Sequence, residues 1–356
     1  MSHPSRTRAV RWHGPGDVRL ETVELPSPAP GEVLVAVAFC GVCGSDLHEV
    51  KDGPHGIPVS RPHPLSGAVA PLTLGHEFSG TVVAVGAGTD VAVGTPVAVE
   101  PNYRCGRCVA CGEGRYEVCD GFGFAGLMGD GGLAEYVLVP AYMVHPLPDG
   151  TDLATAAVLE PAAVALHAVR RSTVDAGSSA LVVGLGPVGI LVCAMLREAG
   201  VELVIGIDPV RARRELAVRF GASTVLGPDD DVVSTVRRLS GGVHVAFEVV
   251  GAQAAFDQAL ACLRPGGELM LLGLVDRLSL PALDMVNAEL RLTTSVGYRD
   301  CHDELIGLLA AGRLDLGALV TDVVPLADAP AALLRMAAEG SGGVKALVRC
   351  GGEGER

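Results

Sequence analysis

Between Cys40 and Glu49 the chain reads CGVCGSDLHE, which sets a thiol at Cys43, a hydroxyl at Ser45, a carboxylate at Asp46 and an imidazole at His48 within six residues. With Cys43 as a zinc ligand, each neighbour gains a role, since Asp46 can orient another ligand while Ser45 and His48 can carry a proton outward. The same decapeptide also suits a buried cysteine beside surface polar groups, so donors elsewhere must decide. Two such segments stand out. LTLGHEFSGTVVAVG offers the imidazole of His76 and the carboxylate of Glu77 at a strand entrance. Glu160 is the only charge in the apolar run from Leu153 to Val169, and a buried charge must be paired or bind metal. Zn²⁺ accepts sulfur, imidazole nitrogen and carboxylate oxygen, so Cys43, His76 and Glu160 are the expected ligands of an open-sided site. Glu77 would act beside it.

A second constellation is denser. In CGRCVACGEGRYEVC, Cys105, Cys108, Cys111 and Cys119 are separated by two, two and seven residues, with glycines that let the backbone close around a common point. Four thiolates complete a tetrahedral zinc site and leave no position for a substrate, so its role would be structural. An iron–sulfur cluster would use the same thiolates. Disulfides fit poorly, because the opening residues MSHPSRTRAV lack the apolar segment of a signal peptide and a reducing, cytoplasmic setting is expected.

The third constellation is ALVVGLGPVGILVCAMLREAG followed by VELVIGID. Gly184, Gly186 and Gly189, with Pro187 and Val188 between them, form G-x-G-x-x-G in a strand, turn and helix setting. Asp208 closes the next strand. Glycines at that turn let a pyrophosphate reach amide N–H groups at a helix N-terminus. Asp208 would accept from the adenosine ribose and repel a 2′-phosphate, which favours NAD over NADP. Arg211, Arg213 and Arg214 would soften that repulsion or simply line an exposed helix.

These residues need scaffolds, and the sequence supplies two kinds. Residues 7 to 40 alternate short β-like runs with Gly and Pro, which predicts antiparallel strands that leave Cys43 just past a strand end. Residues 51 to 72, with five prolines, read as a lid-like loop in which His55 and His63 are solvated. From Ala180 onward strand and helix alternate through six strands, ending with LRLTTSVG, which predicts a doubly wound parallel sheet. His167 falls in a helical stretch as a core or interface residue. The last sixty residues hold helices near 303–311 and 327–338 and a strand, KALVRC, then a tail, GGEGER, expected to fray.

At 356 residues two domains are the default, and the 49% apolar content can fill both cores. A net charge of −14 without a Lys/Arg block excludes nucleic acid and anionic lipid as partners, and no apolar run reaches the eighteen residues of a membrane span. A small molecule remains.

Together, Cys43-Gly44-Ser45-Asp46, Gly75-His76-Glu77, the four-cysteine lobe, Glu160-Pro161 and the glycine turn resemble the zinc-containing medium-chain alcohol and polyol dehydrogenases. Within them, CGSDLHE followed by DGP and a Pro-rich insertion before GHE is most similar to the (R,R)-2,3-butanediol dehydrogenases. The chain departs from these at Ala162 to Leu166. The resemblance implies a GroES-like catalytic domain over 1–157, an NAD-binding Rossmann domain over 158–297, and a segment 298–356 returning to the first. It implies two Zn²⁺ per chain, one catalytic and one structural, in a homo-oligomer, dimer or tetramer. It also implies hydride transfer between NAD and a secondary alcohol or vicinal diol such as 2,3-butanediol, with acetoin as the ketone. A sorbitol- or threonine-type dehydrogenase is the alternative, and a non-catalytic nucleotide sensor the rival of another class.

Overall fold

The computed structural model describes residues 4–340 and 342–351, so the tail past Gly351 lies outside the described residues. The chain divides into two compact units, one of Met1–Glu160 with His302–Arg356 and one of Pro161–Cys301. These limits fall at 160 and 301, against the expected borders at 157 and 297.

The first unit is antiparallel where the alternation of short apolar runs and turns predicts it. Strands β1 (Arg6–Gly14) and β2 (Asp17–Glu24) form a hairpin, with β1 also pairing β4 (Leu72–Thr73). Strand β3 (Glu32–Gly41) is central, paired by β5 (Glu77–Val85) on one side and by later strands on the other, and most of its side chains are apolar. Outward from β5 lies β6 (Pro96–Val99); β7 (Asn102–Tyr103) and β8 (Gly123–Phe124) form a small ladder of their own. Strand β9 (Tyr136–Pro140) pairs β3, and β10 (Val144–Pro146) pairs β6. Trp12, Leu74 and Phe78 fill the core between them, the Trp12 indole N–H donating to the Glu49 carbonyl at 2.8 Å.

The second unit is a six-stranded, all-parallel sheet. Its strands are β11 (Ser179–Val183), β12 (Leu203–Ile207), β13 (Thr224–Leu226), β14 (Val243–Glu248), β15 (Leu263–Leu271) and β16 (Arg291–Thr294), ordered β13-β12-β11-β14-β15-β16. The reversal of order beside β11 is the switch point of a doubly wound fold, where ligands bind at strand C-termini. Every residue of β11 is buried, as expected of a strand covered on both faces.

The chain then rejoins the first unit. Helices His302–Ala310 and Ala329–Glu339 and strand β18 (Lys345–Arg349) match the expected stretches. Strand β17 (Val320–Pro325), parallel to β18, was not expected there; its burial pattern is mostly exposed, so it lacks the apolar signal of a core strand. β18 pairs antiparallel with β3 and extends the main sheet, whose order is β10-β6-β5-β3-β18-β17. Among the described residues no helix is long and apolar enough to cross a membrane.

Candidate metal centres and the glycine turn

The four lobe cysteines converge. Their sulfurs lie within 4.8 Å of one another, with Cys105 and Cys111 3.9 Å apart, and none is in a disulfide. A tetrahedral zinc with Zn–S bonds near 2.3 Å requires sulfur separations of about 3.8 Å, so the set fits zinc. Backbone N–H groups of Arg107 and Cys108 donate to Cys105, that of Cys111 to Cys108, and that of Gly121 to Cys119. Those donors pull the Cys105 thiol down to about 6, as a metal-binding thiolate requires. Cys111 goes the other way, up to about 12, through burial first and its contact with Cys108 next. A cation among the four sulfurs would draw all of them into the thiolate form.

The Cys43 stretch takes a form that the sequence did not suggest. Residues Gly44–Asp52 are a helix with Cys43 as its N-cap, although Gly, Ser and Asp are weak helix formers. Asp46, wholly buried, accepts the Cys43 backbone N–H at 3.0 Å in the manner of a capping box and so starts the helix. Its other carboxylate oxygen lies 3.5 Å from His76 Nδ1. That contact turns the His76 Nε2 toward Ser45 Oγ, 3.3 Å away, and toward Cys43. Burial alone would lower the His76 pKa, but the charges of Asp46 and then Cys43 outweigh it and hold the imidazole well above its ordinary value.

Cys43, His76 and Glu77 bring their donor atoms within 4.8 Å of one another, and Glu160 is not in that group. Glu160 is buried in the first turn of the helix Leu159–Arg171, in the same unit. The residue that sequence reasoning missed is Lys345. Its ammonium, almost completely buried, forms an ion pair with Glu77 and donates to the Val42 carbonyl at 3.1 Å. Burial would lower its pKa, yet Glu77 first, then Cys43 and more weakly Glu160, raise it, so it stays a cation. One signal pointed to it: the single charge at the head of the apolar run KALV obeys the same rule that singled out Glu160.

His48 is exposed on the helix, three residues from Ser45, with its ring against that of His55 at 6.3 Å. His55 is exposed and pairs with Asp52 at 2.9 Å. His63 differs from its expected solvated state. It is buried against Tyr103 at 5.6 Å and meets the Phe122 carbonyl at 3.3 Å, because the loop packs inward there. Glu49 anchors the loop's other end by accepting the N–H groups of His55, Gly56 and Ile57.

In the second unit, Gly186 caps the helix Pro187–Glu198, with Pro187 at its first position and Val188 next. Gly184 has φ +94, and a Cβ on Gly189 would run into the Gly184 carbonyl, so the turn is a cradle that only glycine leaves open for a pyrophosphate. Asp208 is buried at the end of β12; its oxygens accept from the N–H groups of Leu185 at 2.8 Å and Val210 at 2.7 Å. It therefore braces the glycine turn, and each oxygen keeps a further acceptor site for a ribose hydroxyl. Arg213 approaches Asp208 at 3.9 Å, while Arg214 is bound to the carbonyls of Asp208 and Pro209. His167 is buried, its pKa lowered to about 4 by burial first and then by Arg171, Arg299 and Arg170.

Comparison with known proteins agrees in both units. Residues 29–149 match the alcohol dehydrogenase GroES-like domain family and residues 187–311 the zinc-binding dehydrogenase family. The chain is 39% identical to the (R,R)-butanediol dehydrogenase of Bacillus subtilis, over 90% of this chain and 93% of that one. It is 33% identical to the sorbitol dehydrogenase of the same organism, over 94% and 95%. A crystal structure of 2R,3R-butanediol dehydrogenase from Bacillus subtilis superposes with a TM-score of 0.89 at 38% identity, covering 96% of this chain and 99% of that one.

Proposed function

We propose that this chain, which belongs to the zinc-binding dehydrogenases with an alcohol dehydrogenase GroES-like domain, is an NAD-dependent oxidoreductase of a secondary alcohol or vicinal diol, 2,3-butanediol with acetoin as its ketone. The observation that carries this reading is the convergence of Cys43, His76 and Glu77 within 4.8 Å beside Ser45, in a chain 39% identical to a butanediol dehydrogenase over nearly its whole length.

When bound, zinc supplies Lewis-acid polarisation of the substrate hydroxyl, and NAD supplies the hydride acceptor. Cys43 and His76 would hold the metal, with Glu160 as the third donor because Glu77 is paired with Lys345; the Cys₄ lobe would hold the structural ion. Asp46 fixes the imidazole so that Nε2, not Nδ1, is offered. Lys345 keeps Glu77 paired, so that its carboxylate does not stand as an unbalanced buried charge. Ser45 takes the proton lost by the substrate, and the exposed His48 on the same helix passes it to solvent. Gly184, Gly186 and Gly189 admit the dinucleotide pyrophosphate, and Asp208 receives the ribose. We take the chain as a cytosolic homo-oligomer whose partners are small molecules, and the net charge of −14 supports leaving nucleic acid aside.

The test is a substrate panel of the 2,3-butanediol stereoisomers, sorbitol and threonine, each with NAD⁺ and NADP⁺, run beside a zinc determination. Highest kcat/KM on a butanediol stereoisomer with NAD⁺, at no fewer than two zincs per chain, is expected. A higher kcat/KM on sorbitol would move the substrate to the polyol alternative, which the identity to sorbitol dehydrogenase supports. No oxidation of any alcohol at full zinc content would overturn the assignment.

A further inference from the structure

A third group of donors lies apart from both thiolate centres. Glu100, His145 and His302 bring ligand atoms within 4.8 Å of one another, all in the unit of Met1–Glu160 and His302–Arg356. Their supports are rigid. His145 sits in β10 opposite Ala98 of β6, and Glu100, which follows β6, donates its backbone N–H to the Met143 carbonyl at 2.7 Å. His302 opens the helix His302–Ala310. Sheet pairing and a helix start thus join residues that are remote in sequence.

The geometry is that of a ligand set. His145 Nε2 lies 3.3 Å and His302 Nδ1 3.7 Å from the same oxygen, Glu100 Oε2, and the two rings stack at 4.6 Å and 17°. Two donors on a tetrahedral ion with bonds near 2.0–2.1 Å stand about 3.3–3.4 Å apart, so small side-chain rotations close the set around one cation. The other Glu100 oxygen is occupied, taking the Asn102 side-chain N–H at 3.4 Å and facing the Arg104 guanidinium at 3.9 Å. This division leaves Oε2 to the imidazoles. On the far side of His145, Nδ1 meets Asp303 Oδ1 at 3.1 Å, a carboxylate contact of the kind that orients the ring of a ligating histidine. His302 is fully buried where its helix begins, so its ring is held in place beside Glu100 and His145. His145 and Asp303 are partly and largely exposed, which leaves an entry for the ion.

We propose that Glu100, His145 and His302 form a further divalent-cation site, of two-histidine and one-carboxylate chemistry suited to Zn²⁺, Co²⁺ or Ni²⁺. It contains no thiolate, unlike the other two centres. A cation there ties the helix His302–Ala310, where the chain re-enters this unit, to the β6–β10 pair, and so stabilises the folded state by mass action.

The test uses the full chain carrying zinc at its thiolate centres, exposed to Co²⁺, then dialysed and assayed for both metals and for its visible spectrum and melting temperature. One cobalt per chain is expected, without the sulfur-to-cobalt charge-transfer band that either thiolate centre would give, and with a raised Tm. His145→Gln and Glu100→Gln should each lose that cobalt and the Tm rise while zinc content stays unchanged. Failure of the wild-type chain to retain cobalt, a charge-transfer band, or undiminished cobalt in both variants would overturn the proposal. Should a variant fail to fold, wild-type stoichiometry and spectrum decide alone.

Discussion

Replacing Lys345 with Met tests the electrostatics of the Cys43 region most directly. Lys345 and Glu77 are both almost wholly buried, and the ammonium stands against the Glu77 carboxylate as its cationic partner. Methionine keeps most of the volume and removes the charge, leaving the Glu77 carboxylate uncompensated in the interior. Breaking a buried pair in this way costs about 3–5 kcal/mol. For a unit the size of Met1–Glu160 with His302–Arg356, each kcal/mol lowers Tm by roughly 2–4 °C, so a fall on the order of 6–20 °C in that unit's transition is expected. The sign with pH follows from the raised Lys345 pKa. The pair's contribution is fully present below the unfolded lysine value and is lost only as pH rises past the folded one, so the wild-type advantage should be flat across neutral pH and shrink in strong alkali. Calorimetry of both proteins, with the transition of each unit resolved, provides the measurement. The double variant Lys345→Met/Glu77→Gln should recover much of the loss, because no buried charge is then left alone. A single variant within about 1 kcal/mol of wild type, or a double variant no better than the single, would contradict this electrostatic account.

Cys119→Ser should remove one zinc per chain and make the segment 103–122 more sensitive to proteolysis while the second zinc stays; mass-spectrometric metal counting checks this, and an unchanged count would exclude the Cys₄ site. Gly189→Ala drives a methyl into the Gly184 carbonyl, so NADH affinity by fluorescence titration should fall tenfold or more, with a stability cost of about 1–3 kcal/mol; equal affinity would mean that the turn does not hold the pyrophosphate. Asp208→Ala should relax the NAD preference and also loosen the turn, since the N–H groups of Leu185 and Val210 lose their acceptor at about 1–3 kcal/mol for each one left unsatisfied. An unchanged ratio of kcat/KM for NAD⁺ and NADP⁺ would count against Asp208 as the ribose contact.

Which features could be read in the sequence follows from the range of the interaction behind each. The Cys₄ lobe and the glycine turn are local, with ligands or glycines a few residues apart, and periodicity carries the parallel sheet. The helix Gly44–Asp52 could not be read, because its composition opposes it and its start rests on one buried carboxylate, Asp46. Lys345 and Glu77 are far apart in sequence, brought together by the pairing of β18 and β5 to opposite edges of β3. The same holds for Glu100, His145 and His302. Burial of His63 depended on how a Pro-rich loop packs against Tyr103, which no pattern in the loop encodes.

Formal charge ties the Cys43 region together. Asp46, Glu77 and Glu160 are buried carboxylates, and a metal-binding Cys43 adds a thiolate, against which Lys345 sets one buried ammonium. Four anions and one cation cannot be left so in a medium of low dielectric constant, where each unbalanced charge costs several kcal/mol. A divalent ion at Cys43 and His76 brings the balance to within one charge, and the His76 Nδ1–H directed at Asp46 spreads the remainder. It also gives two buried carboxylates separate partners: Glu77 faces the ammonium, and Glu160 would remain for the metal. The ligand set and Lys345 are thus one electrostatic unit, and a chain lacking the ion should bind protons in its place, with zinc release measured as proton uptake at constant pH.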